Sequence, residues 1–344
     1  MPLKHLHPQP EPRTARASSR KTIPGPRRIL IRLLSACNLH CHYCWDHSSL
    51  TPGPALPAHM VDLNTVKNIL DSAARWDTEK IILSGNGEPT LHPDFDAIVA
   101  YADKKRLALE LLTNGTFPLK QLPLMARIKS ISVNLSAANK NAYKRLQHPN
   151  APHLFDNVIT NLGTLARMHQ KYRQPELHLV FIVTRPSYPH IPDILALAKN
   201  MGIPSVLFKR FSPTPATRSL SLTDMDHRHL TALINEQLLQ SWPLTHNLGN
   251  FQPPLKKSSR VTHIACLAGW TELSVEADKR VGFCCCTTSD LYVGDLKTNS
   301  LEEIWYGSAA ERLRNYCRSG INLKKHPRCR ECPPYRYDKL SRHP

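Results

Sequence analysis

The sequence predicts an α/β fold: a partial (β/α)6 barrel of the TIM type, followed by a small C-terminal Cys-rich domain. Three observations carry this. Short β-type runs alternate with helical patterns of about 10–15 residues, which is the pattern of a parallel sheet. About six such units precede residue 212, too few for the eight of a closed barrel. The ten cysteines fall into two groups, three within residues 37–44 and seven within 266–332, with none between 45 and 265. Two cysteine centres follow, one near each end.

Taken in order, RILIRLL (28–34) is a β-type run that leads into the first cysteine group. DLNTVKNILDSAARW places Val66, Ile69, Leu70, Ala73 and Ala74 on one helical stripe. KIILS (80–84) is a buried-strand run ending at glycines, HPDFDAIVAYADKK a helix, and LALELLT (107–113) and KSISVNL (129–135) further strands. FDNVITNLGTLARM carries Phe155, Val158, Ile159, Leu162 and Leu165 at helical spacing. ELHLVFIV is a strand, HIPDILALAKNMG a helix closed by Gly202, and PSVLFKR the last strand of the barrel. The expected boundaries are a disordered basic tail at 1–28, the barrel at 29–211, a linker at 212–260, the Cys-rich domain at 261–338 and a short tail at 339–344. The linker is Pro- and Ser-rich and holds one helix, 224–240, with Thr223 as its N-cap. The Cys-rich domain is too short to bury much core and needs a staple such as a metal.

The formal net charge of +18 suggests nucleic acid until it is located. The first 28 residues carry +6 and the last 34 carry +7, leaving +5 for the 282 between them. Basic ends of this kind are the composition of solvated tails, and no aromatic-basic platform accompanies them, so nucleic acid is not the expected partner. The longest apolar runs, HLVFIV and ILALA, are far short of the roughly 20 residues of a membrane span. The first 28 residues lack the apolar stretch of a signal peptide, so a cytoplasmic protein with reduced thiols is expected. Clustered cysteines then point to metal.

In SACNLHCHYCWD (35–46), Cys37, Cys41 and Cys44 stand at spacings of four and three. A structural zinc site closes with four ligands, and only His40 or His42 could complete this one locally. A 4Fe–4S cluster held by three thiolates instead leaves one iron open, and function can reside there. This loop, with Tyr43 before its last cysteine and a strand before its first, resembles the signature of the radical S-adenosylmethionine enzymes. SGNGEPTLHP (84–93) follows the second strand and resembles the family's Gly-Gly-Glu motif at Gly85, Asn86, Gly87 and Glu88, with Asn86 departing from it. Glycines there allow close backbone approach to a ligand. TNGT (113–116), with Thr113 and Asn114, closes the third strand; Ser132, Asn134 and Ser136 alternate at the end of the fourth, so they share a face. All lie at carboxyl ends of parallel strands, where barrel sites form.

The resemblance covers roughly residues 29–210 and implies a chemistry. The open iron chelates the amino and carboxylate groups of S-adenosylmethionine, and one electron from the cluster cleaves it to methionine and a 5′-deoxyadenosyl radical that abstracts hydrogen from the substrate. Tyr43, Gly85, Gly87, Glu88, Thr113, Asn114, Ser132, Asn134 and Ser136 are the implied cofactor-binding residues, and an external flavodoxin or ferredoxin the implied electron donor.

At the C-terminal end, Cys266, Cys284, Cys329 and Cys332 fall at spacings of 18, 45 and 3. VGDLKTNSLEEIWYGSAAERLR between them resembles the Twitch/SPASM extension of the same superfamily through Cys284-Cys285, Gly294, Asp295, Leu301, Ile304 and Trp305. Lys279 stands where that pattern has glycine. The resemblance implies a second, auxiliary 4Fe–4S cluster on those four cysteines and leaves Cys285, Cys286 and Cys317 over; the spacing alone also suits zinc. Oxidation or rearrangement of a polar, sugar- or cyclitol-like small molecule is the leading expectation, because no fused peptide-recognition domain is evident. Maturation of a ribosomally made peptide is the alternative. A reading of another class is a colourless zinc protein that binds RNA through its basic ends.

Overall fold

A computed structural model describes residues 23–51, 58–147, 153–251, 266–284, 291–318 and 329. In chain order the elements are β1 (Arg28–Arg32), α1 (Leu63–Arg75), β2 (Lys80–Ser84), α2 (Phe95–Lys104), β3 (Leu109–Thr113), α3 (Leu122–Met125), β4 (Ser130–Asn134), α4 (Lys140–Leu146), α5 (Leu154–Tyr172) and β5 (Glu176–Val183). They continue with α6 (Ile191–Met201), β6 (Ser205–Arg210), α7 (Asp224–Leu239), β7 (Thr245–His246), α8 (Ala268–Thr271), β8 (Glu272–Val275), β9 (Arg280–Gly282), β10 (Gly294–Asp295), α9 (Leu301–Tyr306) and α10 (Ser308–Cys317). None of the helices among the described residues is long and apolar enough to cross a membrane.

The chain forms two compact units. One holds the described residues up to Ile31, 61–81 and those from Cys266 on; the other holds 32–60 and 82–251.

In the second unit β3, β4, β5, β6 and β7 lie side by side in chain order, all parallel. Leu112 pairs with Ser132 and Ser132 with His178, while Asn134 pairs with Val180. Alternation along each strand sorts the two faces. Leu109, Leu111, Ile131, Val133, Leu177 and Leu179 are buried. The helices supply their apolar stripes to the core: Phe95, Ile98 and Val99 from α2, Val158, Leu162 and Leu165 from α5, Ile191, Ile194 and Leu195 from α6. Each such side chain contributes about 1.5–3 kcal/mol when fully buried. The other strand face presents Leu112, Ser132, Asn134 and Ile182, which are half-buried and line a cavity.

Residues 212–251 are more than the expected linker. Thr223 caps α7 in a reciprocal capping box with Asp226. Thr245 and His246 then pair with Ser205 and Val206 and extend the parallel sheet. A two-residue strand carries no periodicity, so the sequence could not show it.

In the first unit β1 pairs in parallel with β8, Arg28 opposite Glu272 and Ile31 opposite Val275, with an Arg28–Glu272 ion pair at 2.6 Å. β8, β9 and β10 are antiparallel. Helix α1 starts at Asp62, whose side chain accepts from the Thr65 N–H at 2.9 Å, and buries Val66, Ile69, Leu70 and Ala73. Trp305 is fully buried against Trp76 and Phe283, at ring separations of 6.3 and 5.7 Å. Arg314 is buried over the Trp305 ring and donates to the Gly269 and Trp305 carbonyls at 2.7 and 2.8 Å.

The N-terminal β-run and α1 fall in the same compact unit as the described C-terminal Cys-rich residues. The basic tail was expected to reach residue 28, yet Pro26 is buried with its carbonyl accepting from Thr78 Oγ1 at 2.9 Å, and the Pro24 carbonyl accepts from Trp305 Nε1 at 3.1 Å. Residues 1–22 and 339–344 lie outside the described residues. Finally, Lys279 at the β8–β9 turn adopts φ +76°, the left-handed conformation that a glycine takes most easily. The backbone keeps the glycine geometry without the glycine.

Candidate active site

At the carboxyl ends of the parallel strands of the second unit lies a cavity of about 370 Å³. Its lining brings Cys37, Cys41, Cys44 and Tyr43 together with Gly85, Glu88, Thr113, Asn114, Ser132 and Asn134. Segments more than 90 residues apart in sequence thus meet at one place. Gly87 and Ser136 do not line it.

The cysteine loop is held on several sides. The Cys44 N–H donates to the Cys41 carbonyl at 2.9 Å, closing a turn, and the His42 N–H donates to the Leu146 carbonyl at 3.0 Å. Ser48 Oγ donates to the His42 carbonyl at 2.6 Å, and Trp45 Nε1 to the Ser212 carbonyl at 2.7 Å. Tyr43 is buried with Leu146 and Leu220, and Cys41, Ile182 and Phe211 pack on that group. Two thiols receive backbone N–H groups, Cys37 from Leu39 at 3.4 Å and Cys44 from His47 at 3.3 Å. Burial pushes all three thiols up, Cys37 to about 12. Thiolates in such a setting need a cationic partner, which a metal centre supplies. His40 is exposed and His42 half-buried.

Glu88 is the buried hub beside this loop. Its Oε1 accepts from Thr113 Oγ1 and Thr90 Oγ1, both at 2.7 Å, and its Oε2 from the Asn114 N–H at 2.7 Å. Burial pushes its pKa up from the ordinary glutamate value, while these donors pull it back. The carboxylate therefore ties the end of β2 to the end of β3. Asn114 carries the tie onward, donating to Asn38 Oδ1 at 2.9 Å and reaching the Cys37 sulfur at 4.0 Å.

The glycines act differently from one another. A Cβ on Gly87 would lie 2.0 Å from the Ala36 carbonyl oxygen, so Gly87 serves the close approach of two backbones. The Glu88 N–H donates to that same Ala36 oxygen at 2.9 Å. Gly85 lines the cavity itself. Asn86, where the motif departs from glycine, accepts from Arg32. Ser136 is fully buried, accepting from the Ile182 N–H at 3.0 Å and donating to Asn134 Oδ1 at 3.4 Å, so it braces the strand end. Tyr43 Oη also donates to Asn134 Oδ1, at 3.5 Å.

Other lining residues were not singled out from the sequence: Trp45, Val180, Ile182, Lys209 and Arg210. Strand alternation from Ser132 and Asn134 across the known pairing finds Val180 and Ile182. Lys209 and Arg210 are signalled only by their place at the end of β6. Arg210 donates to the Asn250 carbonyl at 2.8 Å, and its guanidinium lies over the Phe251 ring.

In the first unit a second group of thiols converges. Cys317, at the end of α10, lies against Cys266, with Cys284 and Cys329 near enough for their charge to raise its thiol further. The Cys266 N–H also donates to the Cys317 carbonyl at 2.9 Å. Cys317 had been left over in the sequence reading; Cys285, Cys286 and Cys332 lie outside the described residues. Among the described residues no three His, Cys, Asp or Glu side chains close on a point that one metal ion could occupy.

The Radical SAM superfamily model matches residues 31–186, and the model of an iron–sulfur cluster-binding domain, SPASM, matches 266–333. The chain is 24% identical over 223 residues to the tungsten-containing aldehyde ferredoxin oxidoreductase cofactor-modifying protein of Pyrococcus furiosus, a stretch covering 60% of this chain and 58% of that relative. It therefore spans little more than half of that protein. It is 24% identical over 314 residues to the PqqA peptide cyclase of Xanthomonas campestris pv. campestris, covering 85% of this chain and 77% of the cyclase. Among solved structures, Streptococcus suis SuiB bound to S-adenosylmethionine is similar at a TM-score of 0.63 and 16% identity, covering 91% of this chain and 72% of that one. That likeness is one of fold, and it agrees with the α/β barrel-type reading of the sequence.

Proposed function

Because the chain belongs to the radical S-adenosylmethionine superfamily and carries a C-terminal auxiliary iron–sulfur domain, we propose that it is an enzyme that modifies a ribosomally made peptide. The observation that carries this is the reach of the likeness to PqqA peptide cyclase, which runs through 85% of the chain and so through both domains. SuiB, of similar fold, has been solved with its precursor peptide SuiA. These relatives support the peptide alternative better than the sugar- or cyclitol-like substrate that the sequence put first.

With a 4Fe–4S cluster and S-adenosylmethionine bound, such a site supplies a carbon radical able to take a hydrogen atom from an unactivated C–H bond. The rest falls to this chain's residues. Cys37, Cys41 and Cys44 would hold the cluster, and the N–H groups of Leu39 and His47, which already donate to two of these sulfurs, would stabilise them as thiolates. Gly85, Thr113, Asn114, Ser132 and Asn134 offer backbone and side-chain polar groups to S-adenosylmethionine along one wall. Glu88 positions that wall and, with its oxygens already occupied, is a positioning residue. Leu39, Tyr43, Val180 and Ile182 keep the cavity apolar and exclude water from a reactive intermediate. Exposed Trp45, Lys209 and Arg210 stand at the lining, where a peptide chain would meet the protein. Cys266, Cys284, Cys317 and Cys329 would hold the auxiliary cluster, whose chemistry would be one-electron transfer, and a flavodoxin or ferredoxin would be the external electron donor.

The test is co-expression with each short peptide that the genes flanking this chain's gene are found to encode, followed by mass spectrometry of the recovered peptide. The reading expects a peptide lighter by two hydrogens, and the unmodified peptide from a Cys37/Cys41/Cys44→Ala variant. An unmodified peptide from both, alongside wild-type turnover of a cyclitol or sugar, would return the function to a small molecule.

A further inference from the structure

Thr116 dictates which way the side-chain amide of Asn114 faces. The Thr116 N–H, which can only donate, meets Asn114 Oδ1 at 2.9 Å, and Thr116 Oγ1 donates to the same oxygen at 2.7 Å. The atom there must be the carbonyl oxygen, so the NH2 must point the other way. It points at the cysteine loop. Nδ2 donates to Asn38 Oδ1 at 2.9 Å and to the Cys37 sulfur at 4.0 Å, a longer contact because sulfur is the larger acceptor. Asn38 closes the ring through its own amide, Nδ2 donating to Thr116 Oγ1 at 2.8 Å. Neither amide of this network can be reversed without losing a bond.

Asn114 also lines the cavity together with Cys37 and Glu88, and it stands between those two groups. Its backbone N–H donates to Glu88 Oε2 at 2.7 Å while its side chain faces the Cys37 sulfur. The Glu88 carboxylate pushes the Cys37 thiol up, and the Asn114 amide acts in the opposite sense. The Leu39 N–H reaches the same sulfur at 3.4 Å, but it belongs to the backbone and no substitution of a side chain deletes it.

We propose that the Asn114 side chain donates to Cys37 as a cluster-bound thiolate, and thereby makes the three-cysteine cluster easier to reduce. A donor beside a ligating sulfur favours the state with more negative charge, which is the reduced one. Asn114 is thus a positioning residue for the electron, acting through Cys37. The inference rests on the three-cysteine site holding a 4Fe–4S cluster, as the proposed function has it.

The experiment uses the full-length chain, reconstituted anaerobically without S-adenosylmethionine, as wild type, Asn114→Leu and Asn114→Asp. Leucine has the branched shape of asparagine and no donor. Aspartate keeps an oxygen for Thr116 and loses the donor to Cys37. Iron is assayed, and the midpoint potentials of both clusters are read by redox titration with electron paramagnetic resonance. Asn114→Leu is expected to keep its iron while the potential of the three-cysteine cluster falls by about 59 mV, a tenfold loss of reduced-state stability in a one-electron couple. Asn114→Asp should fall further, since it sets a negative charge against the sulfur, and the auxiliary cluster should not move in either. Wild type labelled with nitrogen-15 in its asparagine side-chain amides should also show a nitrogen coupling to the reduced three-cysteine cluster, lost in Asn114→Leu. Equal potentials in wild type and Asn114→Leu, or a potential in Asn114→Asp at or above wild type, would overturn the proposal. So would a wild type without the nitrogen coupling, even if neither variant folded. A Cys37/Cys41/Cys44→Ala variant that loses no iron would instead overturn the cluster site itself.

Discussion

A methyl group at Gly87 would meet the Ala36 carbonyl oxygen at 2.0 Å. Ala36 opens the cysteine loop, so the two backbones must part if Gly87 carries a side chain. Gly87→Ala is expected to lower stability by about 1–3 kcal/mol, the range for overpacking, and to cut the iron bound at Cys37, Cys41 and Cys44; a thermal melt and an iron assay check both. At the other site Cys317 makes a comparable test. If it is a ligand, Cys317→Ala should remove about four irons, one cluster's worth, while leaving the spectrum of the three-cysteine cluster intact. Full iron in Cys317→Ala, with iron lost in Cys332→Ala, would restore the ligand set read from spacing. Spacing favoured Cys329 and Cys332 because a Cys-x2-Cys step is visible in any sequence. What brings Cys317 to Cys266 is the end of α10, a tertiary fact that no spacing contains.

The turn joining β8 to β9 holds Lys279 at φ +76° and directs its amine to Asp62, the N-cap of α1, at 2.6 Å. The lysine and the Thr65 N–H together hold the Asp62 carboxyl well below the usual carboxylate range. A depressed carboxyl stabilises the fold above its unfolded-state value and loses that contribution as the pH falls through its folded-state value. The pair is partly exposed, so the effect is discounted for screening. Lys279→Ala should melt lower than Lys279→Gly at neutral pH, because alanine keeps the backbone penalty and glycine does not. The difference between wild type and Asp62→Asn should shrink in acid below the carboxylate range. For the N-terminal segment, deletion of residues 1–27 removes the Pro24 and Pro26 carbonyls from Trp305 and Thr78. Each buried donor left unpaired costs about 1–3 kcal/mol, so the deletion should lower the melting temperature measurably. A melt equal to wild type would restore the tail boundary at 28.

For the whole molecule, much was legible because it is local. Alternation of strands and helices shows the parallel α/β fold, and the cysteine loop, Gly85 to Glu88, Thr113 to Asn114 and Ser132 to Asn134 announce themselves at strand ends. What stayed hidden depends on distant pairing. Arg28 to Ile31 pair with Glu272 to Val275, a register more than 240 residues apart that no window can see. Asn114 reads as a polar strand end, and only the folded network turns its amide toward the Cys37 sulfur. The substrate was hidden for another reason: the sequence motifs describe the cofactor, which peptide- and small-molecule-modifying relatives share.

The central claim, that this chain takes hydrogen from a peptide, is tested most directly by isotope transfer. The peptide that co-expression identifies as modified is made with deuterium at its carbon-bound positions and incubated anaerobically with the reconstituted protein, S-adenosylmethionine and dithionite. The account predicts 5′-deoxyadenosine carrying one deuterium, formed in step with modified peptide, and none from Cys41→Ala. Undeuterated 5′-deoxyadenosine from an active wild-type protein, with the peptide unchanged, would contradict it.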